Sequence, residues 1–192
     1  MERDRDIFED ALRFAIDAHA GMVRKSAGSP YILHPLEVAT IVGTMSADKE
    51  LLAAAVLHDV VEDTPCTLAD IEERFGRRVA ALVAAETEDK RPELPASETW
   101  RLRKEESLAL LARSSREVKI IWLGDKLSNM RSFLRSYRER GAALWEHFNQ
   151  KDPAQQAWYY SSIAELTSEL SDELAWQEYD RLVRIVFEEE LA

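Results

Sequence analysis

The 192-residue chain is 46% hydrophobic, enough for one domain with a substantial core and too short to promise two. Six glycines, six prolines and few β-branched runs, set among abundant Ala, Leu, Glu and Arg, favour a mostly helical protein in which no sheet is demanded. Its formal charge of −11 argues against nucleic acid or an anionic membrane as a general partner, so any phosphate site must be a concentrated local one.

The N-terminal MERDRDIFED lacks the apolar region of a signal peptide, and no apolar run approaches the length needed to cross a bilayer. Helical periodicity runs from Asp6 to His19 through Ile7, Leu12, Phe14, Ala15 and Ala18. GMVRKSAGSP then forms a loop rich in turn residues that holds Arg24 and Lys25. A second helix is expected over Tyr31 to Met45, with Pro35 near its start and His34 immediately ahead of it.

A third helix is expected from Leu51 to Asp63. Its first turns, Leu51 to Leu57, are apolar around their whole circumference, which marks a helix buried in a core. His58, Asp59, Glu62 and Asp63 then share an arc of roughly 140° at about 3.6 residues per turn. Pro65 disfavours helical geometry at Thr64 and ends the segment. Helix chemistry opposes this cluster, because three carboxylates lie at the negative end of the macrodipole and Asp59 and Asp63 form a like-charge pair. A bound cation would remove the conflict; a solvated helix end with an incidental histidine is the plainer alternative.

Cys66 is the only cysteine and cannot form an internal disulfide, which together with the N-terminus points to a cytoplasmic location. Thr67 and Asp70 resemble a capping box for a helix that runs through Phe75 and stops at Gly76. Val79 to Ala85 supplies another apolar helical segment. DKRPELPASET, around Lys90 to Thr99, reads as a mobile loop. Helices are expected over Thr99 to Ala112 and Val118 to Arg140, the second ended by Gly141.

Within that second helix Asp125, Asn129 and Ser132 form a polar stripe flanked by Ile120, Ile121, Leu123, Leu127, Met130 and Phe133. The stripe is either a satisfied core network or a functional face. Asp152 and Pro153 are a good N-cap and first-turn pair for a helix to about Leu170, and a last helix covers roughly Leu174 to Leu191. Trp145, Trp158, Tyr159, Tyr160 and Trp176 are expected to pack these helices rather than to stack on a ligand. His19 is expected to pack at the end of the first helix and His147 to be exposed, so neither is a candidate ligand.

His34, His58, Asp59 and Asp125 come from three helices that could converge. Imidazole with carboxylate suits manganese, iron or zinc better than magnesium or calcium, and the lack of available thiolates argues against a structural zinc knot. Such a site with open positions would bind water and polarise a phosphoryl oxygen. Glu62 and Asp63, one turn further on, could take a proton from the attacking water or orient it. Arg24 and Lys25 would add positive charge toward a phosphate, although an exposed loop pair is commonly just solvated.

RKSAGSPYILHP, LHDVVEDT, TEDK and GDKLSNM occur in the order expected for the hydrolase domain of the RelA/SpoT-homologue family. The chain resembles a small alarmone hydrolase of that family, part of the HD-domain metal-dependent phosphohydrolase superfamily. The likeness covers about residues 7 to 140, and its separated motifs are more specific than a lone His-Asp pair. It implies an all-α HD-domain helical bundle, a single domain over 1–192 with its motif-bearing core at about 7–140 and C-terminal helices at about 141–192. No room is expected for a synthetase domain to follow.

Residue by residue, the resemblance implies His34, His58, Asp59 and Asp125 as ligands of one manganese ion, Mn2+, with Glu62 and Asp63 as the catalytic acids. It implies Arg24, Lys25, Tyr31, Asn129 and Ser132 as contacts to a small-molecule nucleotide substrate. The implied reaction removes pyrophosphate from the ribose 3′ position of guanosine tetra- or pentaphosphate, leaving GDP or GTP. Leu33 stands where relatives often carry asparagine, Ser132 where threonine is frequent, and Ser128 replaces a larger residue, which leaves base and phosphate preference open. Competing readings are a phosphohydrolase of an adenosine alarmone or NADPH, and a nucleotide sensor without turnover. The grouping of Arg24, Lys25, Pro30 and Tyr31 ahead of His34 favours the first reading, and the pair Glu62 and Asp63 argues against the last. Oligomeric state is left open.

Overall fold

Asp6 begins the first helix by accepting a hydrogen bond from the Phe8 N–H, and α1 follows over Ile7–Ala18 with Ala11 and Ala15 fully buried. The structure is a computed structural model that describes residues 6–24, 28–91 and 93–189, with backbone alone at 142, 147, 188 and 189. Lys25, the His147 side chain and the expected helix end at Leu191 therefore lie outside the described residues. After α1 the loop is closed by an antiparallel bridge between Val23 and Pro30 and by Arg24 N–H to the Ser29 carbonyl at 2.9 Å. Among the described residues no strand forms.

The helix expected from Tyr31 starts later, as α2 over Leu33–Gly43, so His34 sits inside its first turn rather than ahead of it. Asp48 caps α3, Lys49–Leu57, through the N–H groups of Glu50 and Leu51. Ala53 to Leu57 are fully buried, as their all-round apolarity requires. This helix does not run unbroken to Asp63. It ends at Leu57, a turn holds His58 and Asp59, and a single turn α4 follows over Val60–Asp63.

The capping box at Thr67 and Asp70 forms and starts α5, Leu68–Phe75; Gly76, at φ +86°, joins it to α6, Arg77–Ala84. Helix α7 spans Ala96–Ala112, several residues ahead of the expected start, which shortens the loop before it. Buried Thr99 and Trp100 hold that first turn down, with Trp100 meeting Trp158 and Tyr159 edge-on. Helix α8, Arg116–Arg140, ends at Gly141 with φ +58°, and a 3-10 stretch covers Gly141–His147. Asp152 caps α9, Pro153–Leu166, which stops short of the expected Leu170 and passes into a 3-10 turn, Ser168–Leu170. Helix α10, Leu174–Arg184, continues as π-helical residues Ile185–Glu189.

Helix α2 packs between α3 and α8, α1 covers α3, and α10 lies on the far side of α8. Gly124 sets the spacing of α2 and α8. A Cβ there would fall 2.9 Å from Val42 Cγ2 and 3.3 Å from Val38 Cγ1, so only glycine lets the helices approach this closely. The neighbour of Gly124, Asp125, is thereby brought against His34. The tail aromatics pack as expected: Phe133 meets Trp145, Phe148 and Tyr160 at ring-centre distances of 5.9, 5.0 and 5.3 Å. Among the described residues no helix is long and apolar enough to cross a membrane.

Candidate metal centre and its cavity

Three pieces of chain meet at one point: the first turn of α2 with His34, the α3–α4 turn with His58 and Asp59, and the middle of α8 with Asp125. His34 Nε2 lies 3.0 Å from Asp125 Oδ1 and 3.5 Å from Asp59 Oδ2. His58 Nε2 lies 3.1 Å from Asp59 Oδ2 and 3.8 Å from Asp125 Oδ1. One donor atom each of His34, His58 and Asp59 falls within 4.8 Å of the others, a spacing that could hold a metal ion. All four residues singled out as ligands thus stand together.

The remaining ring nitrogens are committed elsewhere. His58 Nδ1 is 2.8 Å from the Ala55 carbonyl, which only accepts, so Nδ1 carries a proton and Nε2 can present a lone pair. His34 Nδ1 is 2.8 Å from Ser128 Oγ, and that hydroxyl donates its single proton to Glu37 Oε2 at 2.8 Å. Ser128 must then accept from His34 Nδ1–H, which fixes the same tautomer. Arg131 extends the chain, donating to Glu37 Oε1 at 3.0 Å and forking onto Glu178 of α10 at 2.7 and 2.6 Å.

His58 Nε2 is buried with no hydrogen-bond partner, its approach to Asp59 lacking hydrogen-bond alignment. Burial holds His34 below its ordinary range. For His58 burial pulls the same way, but the Asp59 and Asp125 charges outweigh it and push the imidazole up to about 10. Burial opposes the charged form of both carboxylates, yet His58 holds Asp59, and Lys126 with His34 holds Asp125, below the usual range. The field that draws a proton to an orphaned nitrogen also draws a cation. Nitrogen and oxygen donors in this combination fit a divalent transition metal.

Glu62 and Asp63 line the cavity from α4. The Tyr31 hydroxyl is 2.6 Å from Asp59 Oδ2 and 2.7 Å from Asp63 Oδ2, so one proton is shared between a ligand candidate and an acid. Lys90 Nζ approaches Asp63 Oδ1 at 2.5 Å, the Glu62 carbonyl at 3.0 Å and Glu62 Oε1 at 3.3 Å. Burial, reinforced by the Asp59 charge, raises the Glu62 carboxyl above its ordinary value.

The cavity has two lobes that share Arg24, Tyr31, Asp63 and Asn129. The inner lobe, about 200 Å³, is polar and reaches Glu86, Glu88, Lys104, Lys126 and Tyr159. The outer, about 370 Å³, adds Ser132 and the apolar Met22, Val23, Phe133 and Phe148. Arg24 donates to Asn129 Oδ1 at 3.0 Å, and Asn129 donates to Asp125 Oδ1 at 2.7 Å, so the polar stripe of α8 is joined to the loop. Arg24, Tyr31, Asn129 and Ser132 therefore stand where a ligand would touch them. Lys90 and Lys126 lay inside the TEDK and GDKLSNM motifs without being singled out; Lys104 gave no signal in the sequence, and Tyr159 was expected only to pack helices. Tyr159 packs a helix and lines the cavity as well.

The family model described as "HD domain" matches residues 11–152. This chain belongs to the HD domain family. The matched span contains every ligand candidate, and all of α9 and α10 lie beyond it. Among HD relatives, the bifunctional (p)ppGpp synthase/hydrolase SpoT of Escherichia coli strain K12 is 56% identical over 69 residues, 36% of this chain and 10% of that protein. The guanosine-3′,5′-bis(diphosphate) 3′-pyrophosphohydrolase of Aquifex aeolicus is 38% identical over 122 residues, 64% of this chain and 17% of that protein. The chain thus matches only 10% and 17% of the length of these two relatives.

Solved structures match more completely. A metazoan ortholog of SpoT, described as hydrolysing ppGpp, superposes with a TM-score of 0.76 at 28% identity, covering 96% of this chain and 98% of that one. The Listeria monocytogenes EGD-e protein lmo0812 superposes with a TM-score of 0.70 at 34% identity, covering 83% and 97%.

Proposed function

We propose that this HD protein is a manganese-dependent hydrolase that removes the 3′-pyrophosphate from guanosine tetra- and pentaphosphate, giving GDP or GTP. The carrying observation is the orphaned His58 Nε2 facing Asp59 and Asp125 beside a second pair of acids, in a chain that matches a ppGpp-hydrolysing structure over nearly its whole length. His34, His58, Asp59 and Asp125 would hold the ion. Bound there, Mn2+ supplies Lewis acidity to a phosphoryl oxygen and lowers the pKa of a water.

The chain's own groups carry the rest. Glu62 and Asp63 orient the attacking water and take its proton, and burial, by raising the Glu62 carboxyl, favours proton uptake there. Lys90 and Tyr31 restrain Asp63 from opposite oxygens. The water oxygen bonds to phosphorus, the O3′–P bond breaks, and the ribose oxygen leaves with a proton. Arg24 and Asn129 face the phosphates at the neck between the lobes, and the apolar outer lobe, with Ser132 on its wall, takes the nucleoside. The cytoplasm is the proposed setting.

Incubation with Mn2+ and guanosine tetraphosphate, its adenosine counterpart and NADPH tests this. GDP and pyrophosphate from the first are expected. Turnover of NADPH alone, with orthophosphate released, would overturn the assignment.

A further inference from the structure

The residues matched by the HD model end at 152, ahead of α10, yet a line of contacts runs from α10 to a metal-ligand candidate. Glu178 of α10 receives two arms of the Arg131 guanidinium, Nε at 2.7 Å and Nη2 at 2.6 Å. The third, Nη1, reaches Glu37 Oε1 of α2 at 3.0 Å. Glu37 Oε2 accepts the Ser128 proton, and Ser128 Oγ meets His34 Nδ1, each at 2.8 Å. Glu178, Arg131, Glu37 and Ser128 thus form a relay across α10, α8 and α2 that ends on His34.

A hydroxyl at the end of this relay is ambivalent. Ser128 can accept from His34 Nδ1–H, or it can rotate and donate to a bare Nδ1; only the first leaves Nε2 a lone pair for a metal. Asp125 Oδ1, 3.0 Å from Nε2, draws the proton toward the wrong nitrogen. Glu37 holds the Ser128 proton away from His34, and burial does not hold Glu37. Its side chain is 31% exposed and borders an open cavity of about 490 Å³ whose wall also carries Arg24 and Arg135, two other cations it could turn to. Arg131 keeps Glu37 directed at Ser128, and the fork onto Glu178 keeps Nη1 directed at Glu37. With Arg131 and Glu178 34% and 42% exposed, these pairs add little to stability. Their effect lies in direction rather than strength.

We propose that Arg131 and Glu178 are positioning residues of the metal centre, committing the Ser128 hydroxyl to accept from His34 so that His34 Nε2 stays open to the ion. The inference rests on His34 being a ligand, as proposed above. It gives α10 a hold on the metal site from outside the matched HD span. A through-space effect of Arg131 has the opposite sign, because deleting a positive charge near the site removes repulsion on a cation and tightens its binding.

The test is calorimetric titration of metal-free protein with Mn2+, with 15N chemical shifts of His34 read before metal is added. Arg131→Met is expected to weaken Mn2+ about three- to tenfold and to raise the share of His34 protonated at Nε2. Glu178→Gln should act in the same direction to a smaller extent. In a Ser128→Ala background, where the relay is already cut, Arg131→Met should change affinity less than about twofold. Arg116→Gln is the control for simple docking of α10, because Arg116 of α8 pairs with Glu173, the N-cap of α10, at 2.8 Å. It should leave affinity and tautomer unchanged, with thermal unfolding measured on every variant. Tighter or unchanged Mn2+ binding in Arg131→Met, an equal loss in Arg116→Gln, or full additivity with Ser128→Ala would overturn the proposal. Activity enters none of these readouts. Mn2+ affinity that follows the relay in a protein releasing no pyrophosphate from guanosine tetraphosphate would support the relay and refute the hydrolase reading. Release with Mn2+ affinity indifferent to Arg131 would do the reverse.

Discussion

Ser128→Ala should weaken metal binding by about ten- to a hundredfold, which is about 1.4 to 2.7 kcal/mol. The hydroxyl accepts from His34 Nδ1–H and donates to Glu37, both at 2.8 Å, and it is 1% exposed beside a histidine that is 4% exposed. No bulk water replaces it, so the variant leaves a buried N–H unsatisfied, at about 1–3 kcal/mol. The imidazole can relieve this by moving its proton to Nε2, the nitrogen that faces Asp59 and Asp125. A metal must then reverse the shift before it binds. Calorimetric titration of metal-free protein with Mn2+ gives the affinity, and 15N chemical shifts of His34 report the tautomer. Glu37→Gln should show a smaller loss, since it leaves the Ser128 hydroxyl in place. His58 is the internal control, because its Nδ1 is held by a backbone carbonyl that no side-chain change removes. Unchanged affinity and tautomer in Ser128→Ala would refute the relay.

Glu62→Gln and Asp63→Asn should each reduce turnover with bound metal, measured by elemental analysis, largely intact; full activity in both would sink their proposed role. His58→Ala or Asp125→Ala should lose both ion and activity, and stoichiometric Mn2+ retained in either would count against the ligand set. Gly124→Ala forces a methyl to within 2.9 Å of Val42 and should destabilise by about 1–3 kcal/mol in urea unfolding, whereas a neutral result would mean that α2 and α8 are not held at this spacing. The Arg78 hydrogen bond holds Asp48 down from 3.8 to about 2, so its contribution is present above pH 3.8 and lost as pH falls toward 2. With its side chain 39% exposed, solvent screening leaves about 0.5 kcal/mol. Asp48→Asn keeps the helix cap, so its stability curve should lie below the parent's at neutral pH and meet it near pH 2; parallel curves would contradict this.

What could be read from the chain was local. The all-round apolar run Leu51 to Leu57, the Thr67–Asp70 box, the Asp152–Pro153 start and the Gly141 stop each involve neighbours in sequence, and each is found. The break at His58 and Asp59 was not legible. Periodicity over four residues does not distinguish a continuous turn from one that ends and restarts, and the choice is made by the contacts of the two side chains. The start of α7 at Ala96 was missed for a related reason, since the prolines argue for a loop while Trp100 is buried against Trp158 and Tyr159 of α9.

The site divides along the same line. Residue type and spacing picked out His34, His58, Asp59 and Asp125, because imidazoles and carboxylates next to apolar helices are conspicuous. Ser128 was visible only as a departure from a pattern, and its task depends on Glu37, which lies 91 positions away and limits the hydroxyl to accepting from His34. Lys104 falls in RLRKEES, where alternating charges look like a solvated helix face; the neighbouring Arg101 and Glu105 do pair there, exposed, at 2.7 Å. The turn of α7 sends Lys104 to the other side, against Tyr159. The sign of a charge is written in the sequence, but whether it faces water or a cavity depends on which face of its helix is covered. The cavity carries inward-facing cations at both ends, Arg24 at the neck and Lys104 with Lys126 at the far wall, because acids face it too, Glu88 pairing with Lys104 and Asp125 with Lys126.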